Sequence, residues 1–264
     1  MLVVKLGGSL TAFDSLLDEL SVLDQPLVIV HGAHRELDEI STRLSHPPRM
    51  VRSVRGETSR FTDSTTMDLM LMAYCGKANK RLVEALRARG ANAVGLSAMD
   101  GGIAVGRRKP DLRYQEAGRT RVLHGDHAGS IDRIDTVLLG ILLEAGFLPV
   151  LTPPAISHDG VAINVDGDRL AMELACALNA ERLIIFADTP GFLADPDDQA
   201  SVIPAIKADE VAEVVASARG RARIKVLSAA EAVRRGVAAV GLVDGRGPRP
   251  LSAALGGAGT WVTR

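Results

Sequence analysis

Aromatic side chains are scarce in this 264-residue chain, only 3% of it, and neither sign of charge prevails: 31 Lys and Arg stand against 32 Asp and Glu. A near-neutral balance demands neither nucleic acid nor a membrane surface as the main partner, so any electrostatic recognition has to be local. Cysteine is almost missing. Cys75 and Cys176 lie far apart, each in an apolar helical pattern, and read as two buried thiols without a role, not as a disulfide or a metal site. No apolar run approaches the roughly 18–20 residues of a membrane span. Met1-Leu2-Val3-Val4-Lys5 opens without the basic region, apolar stretch and cleavage site of a secretory leader, so a cytoplasmic location is expected. Two nucleotide signatures are absent as well. The Walker pattern G-x-x-x-x-G-K-S/T is missing, and no G-x-G-x-x-G follows a predicted strand, which argues against a dinucleotide oxidoreductase. Repeats, low-complexity tracts and a Gly-, Ser- or Pro-rich linker are also lacking, so one domain over 1–264 is expected, with a soft boundary near 150–180.

What is present is a globular composition, 47% hydrophobic and 24% charged, enough for one large core or two coupled ones. Short runs rich in Val, Ile and Leu at 2–6, 27–31, 92–97, 148–151, 182–187 and 238–243 read as buried strands. Amphipathic patterns at 14–23, 35–44, 64–89, 133–145, 167–179 and 221–235 read as helices. This alternation predicts an α/β fold, a three-layer αβα sandwich with a mainly parallel central sheet, whose ligands gather at strand C-termini. Two stretches break the rhythm. Residues 46–61 are rich in Pro and Arg, and residues 103–124 alternate weakly around Glu116-Ala117-Gly118-Arg119, a projecting hairpin. Both are substrate-side candidates, or else two ordinary solvated loops.

Four clusters carry chemistry. Val3-Val4-Lys5-Leu6-Gly7-Gly8-Ser9 is a strand ending in paired glycines; glycine lets backbone amides approach an anion, and a lysine at a strand end adds a point charge. Alone it is also an ordinary turn. Val28-Ile29-Val30-His31-Gly32-Ala33-His34 repeats the design, so the two turns are expected to aim several amides at one point; a His31/His34 metal pair lacks a third ligand. Asn164, Asp166 and Asp168 open a helical segment, where capping accounts for one carboxylate but not for the trio. Arg221, Arg223 and Lys225 crowd a predicted first helical turn, where the helix dipole disfavours cations unless an anion is near.

In this combination the residues resemble the amino acid kinase family, and within it the acetylglutamate kinase branch. The likeness covers nearly the whole chain: VKLGGS, VIVHG, SRFTD, YCGKANKRLVEAL, GANAVGLS, GRRK, GDHAGSI, LPVLTPPAIS, AINVDGDRLA, DTPGFL and RIKV in order. HPPR, YCGKANKR, GRRK and LTPPAIS look more like the group of kinases whose acidic amino-acid substrate, aminoadipate or glutamate, is carried on an acidic LysW-like amino-group carrier protein. The resemblance implies ATP and Mg²⁺, the ion held mainly by nucleotide phosphates and not by a carboxylate cage. It implies catalytic roles for Lys5, Lys225 and Asp168, the acid lying between the two lysines. Gly7, Gly8, Asp188, Gly191 and Leu193 would border the nucleotide, and Gly32, Ala33, His34, Arg60 and Asn164 the amino-acid substrate. Residues 1–165 would form the amino-acid and carrier lobe and 166–264 the ATP lobe. Where the family usually has a glycine followed by a small residue, this chain has Ala33-His34. A methyl and an imidazole there bear on substrate identity.

The implied reaction makes an acyl phosphate. A carboxylate with a reference pKa of about 4.3 needs no general base at neutral pH, so the barrier is anion meeting anion, and positive charge plus positioning is what the site must supply. Arg107, Arg108, Lys109, Arg113, Arg119 and Arg121 outnumber Asp111 and Glu116 in the hairpin, a basic patch suited to docking an acidic carrier or simply a solvated face. The methionines at 67, 70 and 72 and Tyr74 read as core or dimer interface. The resemblance implies a homodimer, because a start at the first strand lacks the N-terminal helix that accompanies hexameric, arginine-sensitive acetylglutamate kinases. The rival readings are a kinase of free N-acetyl-L-glutamate in arginine biosynthesis and a non-catalytic nucleotide-binding regulatory subunit.

Overall fold

The computed structural model describes residues 1–8, 13–52, 58–116, 119–216 and 220–264, apart from the side chains of Glu116 and Arg221. In chain order the elements begin with β1 (Leu2–Leu6), α1 (Asp14–Ser21), β2 (Leu27–His31), α2 (His34–Arg43), β3 (Met50–Arg52) and β4 (Thr58–Arg60). A helical rod follows, made of α3 (Ser64–Met70), a π-helical segment (Leu71–Ala78) and α4 (Asn79–Ala88). Next come β5 (Ala93–Ser97), β6 (Ala104–Arg108), β7 (Asp111–Glu116), β8 (Arg119–His124), β9 (Gly129–Ile134), α5 (Val137–Glu144), β10 (Leu148–Thr152), β11 (Ala155–Ser157) and β12 (Ala162–Ile163). The last part holds α6 (Gly167–Ala177), β13 (Arg182–Ala187), β14 (Ala205–Lys207), α7 (Val211–Val214), α8 (Gly220–Arg234), β15 (Ala239–Asp244), α9 (Pro250–Leu255) and β16 (Thr260–Thr263).

An eight-stranded sheet in the order β14-β16-β15-β13-β1-β2-β10-β5 forms the centre. Its pairings are parallel except β15 with β16. Strand alternation divides the core. Leu2, Val4 and Leu6 of β1 pack with Leu16 and Leu17 of α1, Leu86 of α4 and Leu251 of α9, whereas Val3 packs on the opposite face with Leu170 of α6 and Val226 of α8. The same period turns Lys5 toward the α6 and α8 side. Two helical layers around a mainly parallel sheet are the expected sandwich, and the strand ends at Leu6, His31 and Ala187 fall along one edge.

The predicted helix 133–145 is shorter. Residues up to Ile134 belong to β9, which pairs antiparallel with β6, and α5 starts at Val137. Asp135 makes the break: its amide donates to the Ile103 carbonyl and its carboxylate accepts from Val137 N at 3.0 Å. The stretch 103–124 is also two things. β6 joins β12, β11 and β9 in a four-stranded sheet, and only β7 and β8 form the hairpin, whose Ala117-Gly118 tip lies outside the described residues. Its Tyr114 packs with Val51 and Phe61, tying the hairpin to the 46–61 segment.

Glu19 of α1 caps α9, accepting from Leu251 N at 2.8 Å, Ser252 N at 2.9 Å and the Ser252 hydroxyl. Helix N-termini leave amides unsatisfied, and losing a capping acceptor costs about 1 kcal/mol. Glu19→Ala is therefore expected to lower Tm by roughly 2–4 °C in a chain of this size. An unchanged melting curve would show that water replaces the cap without loss.

Candidate active site

Asp166 adopts an extended conformation before α6, and its carboxylate accepts from Asp168 N and Arg169 N, both at 2.9 Å. This settles which acid caps the helix. Asp168, one residue into α6, is thereby spared for the lysines: its Oδ1 lies 2.5 Å from Lys5 Nζ and its Oδ2 3.7 Å from Lys225 Nζ. Burial pushes the Asp168 carboxyl up, but the Lys5 ammonium and then Lys225 outweigh it, so the group is held below its usual range and stays ionised at neutral pH. Lys5 is itself only 7% exposed. A buried ammonium persists only when paired, so Asp168 makes the position of Lys5 tolerable. On α8, which starts at Gly220, Lys225 falls in the second turn and not the expected first one, so no dipole penalty needs offsetting there; the helix instead presents its ammonium to Asp168.

The two glycine turns touch. A Cβ on Gly8 would stand 2.6 Å from His34 Nδ1 and 3.2 Å from the Gly32 carbonyl carbon, closer than a side chain tolerates. Their amides are not all aimed at a ligand, however. Gly7 N donates to Phe186 O at 2.9 Å and Gly32 N to Leu6 O at 3.3 Å, because the parallel ladder runs one residue beyond each strand. The Gly7 and Gly32 amides are therefore already engaged in the sheet and not free to donate to a ligand. Ala33 has φ −151°, which any residue adopts, so its methyl brings no backbone strain. His34 begins α2 and is exposed beside Gly8.

His31 is buried, and burial first, with Lys5 and Lys80 adding, pushes its pKa down to about 4 against a hydrogen bond to Gly32 O that favours the charged form. The neutral ring accepts from Asn79 Nδ2 at Nε2, 3.1 Å, and the network assigns its proton to Nδ1, 3.2 Å from Gly32 O. His31 thus ties β2 to α4 and is no half of a metal pair with His34.

On the other flank Arg60 Nη2 holds Asp38 Oδ1 at 2.5 Å, while its Nη1 is buried and meets no hydrogen-bond partner among the described residues. Such a donor is costly to leave unmade, and a carboxylate is the kind of acceptor that suits a guanidinium nitrogen. Asn164 donates from Nδ2 to Thr62 Oγ1 at 3.0 Å, two residues beyond Arg60. Tyr74, assigned from sequence to core or interface, is also here. Burial pushes the pKa of its hydroxyl up to about 12, opposed by the Ala33 amide and the Arg60 charge and helped by Asp38 and Asp166. Tyr74 lies in the π-helical segment, a local departure from the helical period that no apolar pattern reveals. Met67 and Met70 are core, and Met72 is 56% exposed. Cys75 and Cys176 are half-buried free thiols with pKa values raised by desolvation.

Across β1, the turn after β13 carries Asp188, Gly191 and Leu193. Gly191 has φ +155°, and a Cβ there would stand 2.7 Å from Thr260 Oγ1, which accepts from Phe192 N at 2.8 Å. Leu193 bridges to Val202. Asp188 is exposed. In the basic patch, Arg107 Nε pairs with Asp132 at 2.8 Å, and Arg108 donates to Asp126 O at 2.7 Å and Gly125 O at 3.0 Å. Lys109 and Arg113 are exposed.

The chain is similar to known proteins over nearly its whole length. It is 48% identical over 267 residues to a LysW-aminoadipate kinase of Deinococcus radiodurans, covering 100% of this chain and 91% of that one. It is 42% identical over 268 residues to a LysW-aminoadipate kinase of Thermus thermophilus, covering 99% and 100%. Among solved structures it superposes on N-acetylglutamate synthase from Neisseria gonorrhoeae with a TM-score of 0.78 and 24% identity over 100% of this chain, a likeness of fold; the chain spans 59% of that protein's length. The amino acid kinase family model matches residues 1–244, and the chain belongs to the amino acid kinase family.

Proposed function

We propose that this protein transfers the γ-phosphoryl group of ATP to the side-chain carboxylate of α-aminoadipate held on an acidic LysW-like carrier protein, giving an acyl phosphate in lysine biosynthesis. The observation that carries the chemistry is Asp168 bridging Lys5 and Lys225 at the strand-end edge of the sheet. Two ammonium groups fixed by one acid make a preorganised positive site, and phosphoryl transfer responds chiefly to positioning and charge. A carboxylate oxygen of the acceptor attacks phosphorus, and the bond to the bridging oxygen breaks as ADP leaves. Lys5 and Lys225 stabilise the charge spread over the transferring oxygens, and Asp168 holds both ammonium groups in place. The described residues contain no cluster of three or more His, Cys, Asp or Glu suited to a metal, and Asp168 is spent on lysines. Mg²⁺ would be held by the phosphate oxygens of the nucleotide, where it would neutralise part of their charge.

The acceptor side rests on Arg60, whose unpartnered buried nitrogen suits the substrate's α-carboxylate, with Asn164 and the Gly32-Ala33-His34 turn beside it. This assigns 1–165 to acceptor and carrier and 166–264 to the nucleotide, bordered by Gly7, Gly8 and the Asp188–Leu193 turn. The carrier reading is supported by the two relatives' names and by Lys109 and Arg113, exposed on or beside the hairpin and available to an acidic partner. A homodimer is supported by α5, where Val137 is 68% and Ile141 58% exposed at the β5 side of the sheet. No described helix is long and apolar enough to cross a membrane; we place the enzyme in the cytoplasm with its ATP supply.

Hydroxylamine trapping of the acyl phosphate tests the assignment. Carrier-linked aminoadipate is expected to give ATP-dependent hydroxamate with a kcat/KM far above that of N-acetyl-L-glutamate. Robust turnover of acetylglutamate alone transfers the protein to arginine biosynthesis, and ATP binding without transfer to either marks a regulatory subunit.

A further inference from the structure

Asp126 has no part in the chemistry described so far, yet its residue is only 1% exposed. Its Oδ1 accepts from Thr62 N at 3.0 Å and Ala128 N at 3.1 Å. Thr62 is wholly buried, and all three of its polar groups are held: the amide by Asp126, the carbonyl by His127 N at 2.7 Å, and the hydroxyl by Asn164 Nδ2 at 3.0 Å. Asn164 is gripped in turn, donating N to His127 O at 2.8 Å and accepting at its carbonyl from Gly129 N at 2.9 Å. Segment 126–129 is thus a strap joining the residues that follow Arg60 to the residue that precedes the Asp166 cap and Asp168. From the hairpin side, the Arg108 guanidinium fastens the strap through the carbonyls of Gly125 and Asp126. An isolated buried carboxylate is expensive, and an acceptor-only group that binds two amides of separate segments is a reason to keep one.

We infer that Asp126 is a positioning residue for the acceptor half of the site, setting Arg60 and Asn164 in register with Asp168. Arg108 then serves the same strap and not the carrier directly, which leaves docking to the outward Lys109 and Arg113. The inference rests on the acceptor reading of Arg60 and Asn164 given above. Burial raises the Asp126 pKa, opposed by the amides of Thr62, Ala128 and His127, which agrees with a carboxyl kept for its hydrogen bonds.

Asp126→Leu removes both acceptor bonds while keeping the branching at Cγ, though it is bulkier, and Asp126→Asn keeps an oxygen where Oδ1 stands. Expected for Asp126→Leu is an acceptor KM raised about tenfold or more, with the ATP KM within about twofold of wild type, and for Asp126→Asn recovery to within about threefold. Equal rises in both KM values, or none, overturn the inference. Should Asp126→Leu fail to fold, Thr62→Val, which removes only the bond to Asn164, is expected to give the same one-sided rise, and symmetric kinetics in it count against the strap. Hydrogen exchange separates this outcome from failure of the proposed function. Even if wild type phosphorylates neither carrier-linked aminoadipate nor acetylglutamate, Asp126→Leu should lose amide protection at 58–64 and 127–130 but not in β1, and unchanged protection would refute the strap.

Discussion

Lys5→Ala is expected to lower kcat by about 10³-fold while the protein stays folded, and Lys225→Ala by about 10²–10³-fold. The two differ because of Asp168. With Lys5 at 2.5 Å and Lys225 at 3.7 Å, the nearer lysine contributes more of the carboxylate's neutralisation. Removing it strands an anion beside the place proposed for the multiply charged phosphoryl group. Two unit charges about 5 Å apart at an effective dielectric of about 20 interact by about 3 kcal/mol, so the stranded acid adds a repulsive penalty to the lost attraction. Neutralising the acid in the same chain should therefore help: Lys5→Ala with Asp168→Asn is expected to recover about tenfold over Lys5→Ala alone. Single-turnover measurement of hydroxamate formation reads this without interference from product release. Undiminished turnover in the Lys5→Ala, Lys225→Ala double variant would remove the two ammonium groups from the mechanism.

Much of this was legible in the sequence, for identifiable reasons. Buried parallel strands read as unbroken apolar runs, so β1, β2, β10, β13 and β15 are legible, whereas the lysine two residues before paired glycines reads alone as an ordinary turn and gains a role only through the family resemblance. The Asp166/Asp168 pair was ambiguous because either acid suits an N-cap; only the backbone, extended at Asp166, decides it. The start of α5 was missed because Ile131 and Ile134 have helical spacing as well as strand pairing to β6, and Asp135 acts through bonds that no period encodes. Tyr74 packs against the Leu37, Met67 and Met70 cluster, as its apolar pattern predicts; that its hydroxyl lies near Arg60 is set by tertiary packing, which no period encodes. The use of Gly7 and Gly32 amides inside the ladder was hidden by sheet register, which sets where a strand's last hydrogen bond falls. Thr62, Asp126 and Asn164 lie far apart in sequence and become one unit only through long-range bonds.

Arg60→Leu is expected to lower kcat/KM for the acceptor by about 10²–10³-fold and to leave the ATP KM within about twofold, the second large effect of this site. The physical argument is one of unpaired groups. In the folded protein Nη2 of the guanidinium is engaged by Asp38, and Nη1 is buried without a hydrogen-bond partner among the described residues. An acceptor carboxylate that reaches Nη1 completes a charge-assisted pair in a largely dehydrated place, and truncating one side of such a pair costs about 2–5 kcal/mol. Leucine fills the space but also strands Asp38, which is 45% exposed at its side chain and can turn to water; the loss should therefore appear in acceptor affinity more than in stability. Arg60→Lys keeps the charge but not the fork that serves Asp38 and the acceptor at once, so it is expected to recover only part of the activity. Asp38→Asn gives the opposite control: with the competing carboxylate neutralised, the guanidinium is freer to follow the substrate, and the acceptor KM should change far less than in Arg60→Leu. If Arg60→Leu instead raises the ATP KM and spares the acceptor, the amino-acid end of the substrate lies elsewhere and the orphan nitrogen needs another explanation.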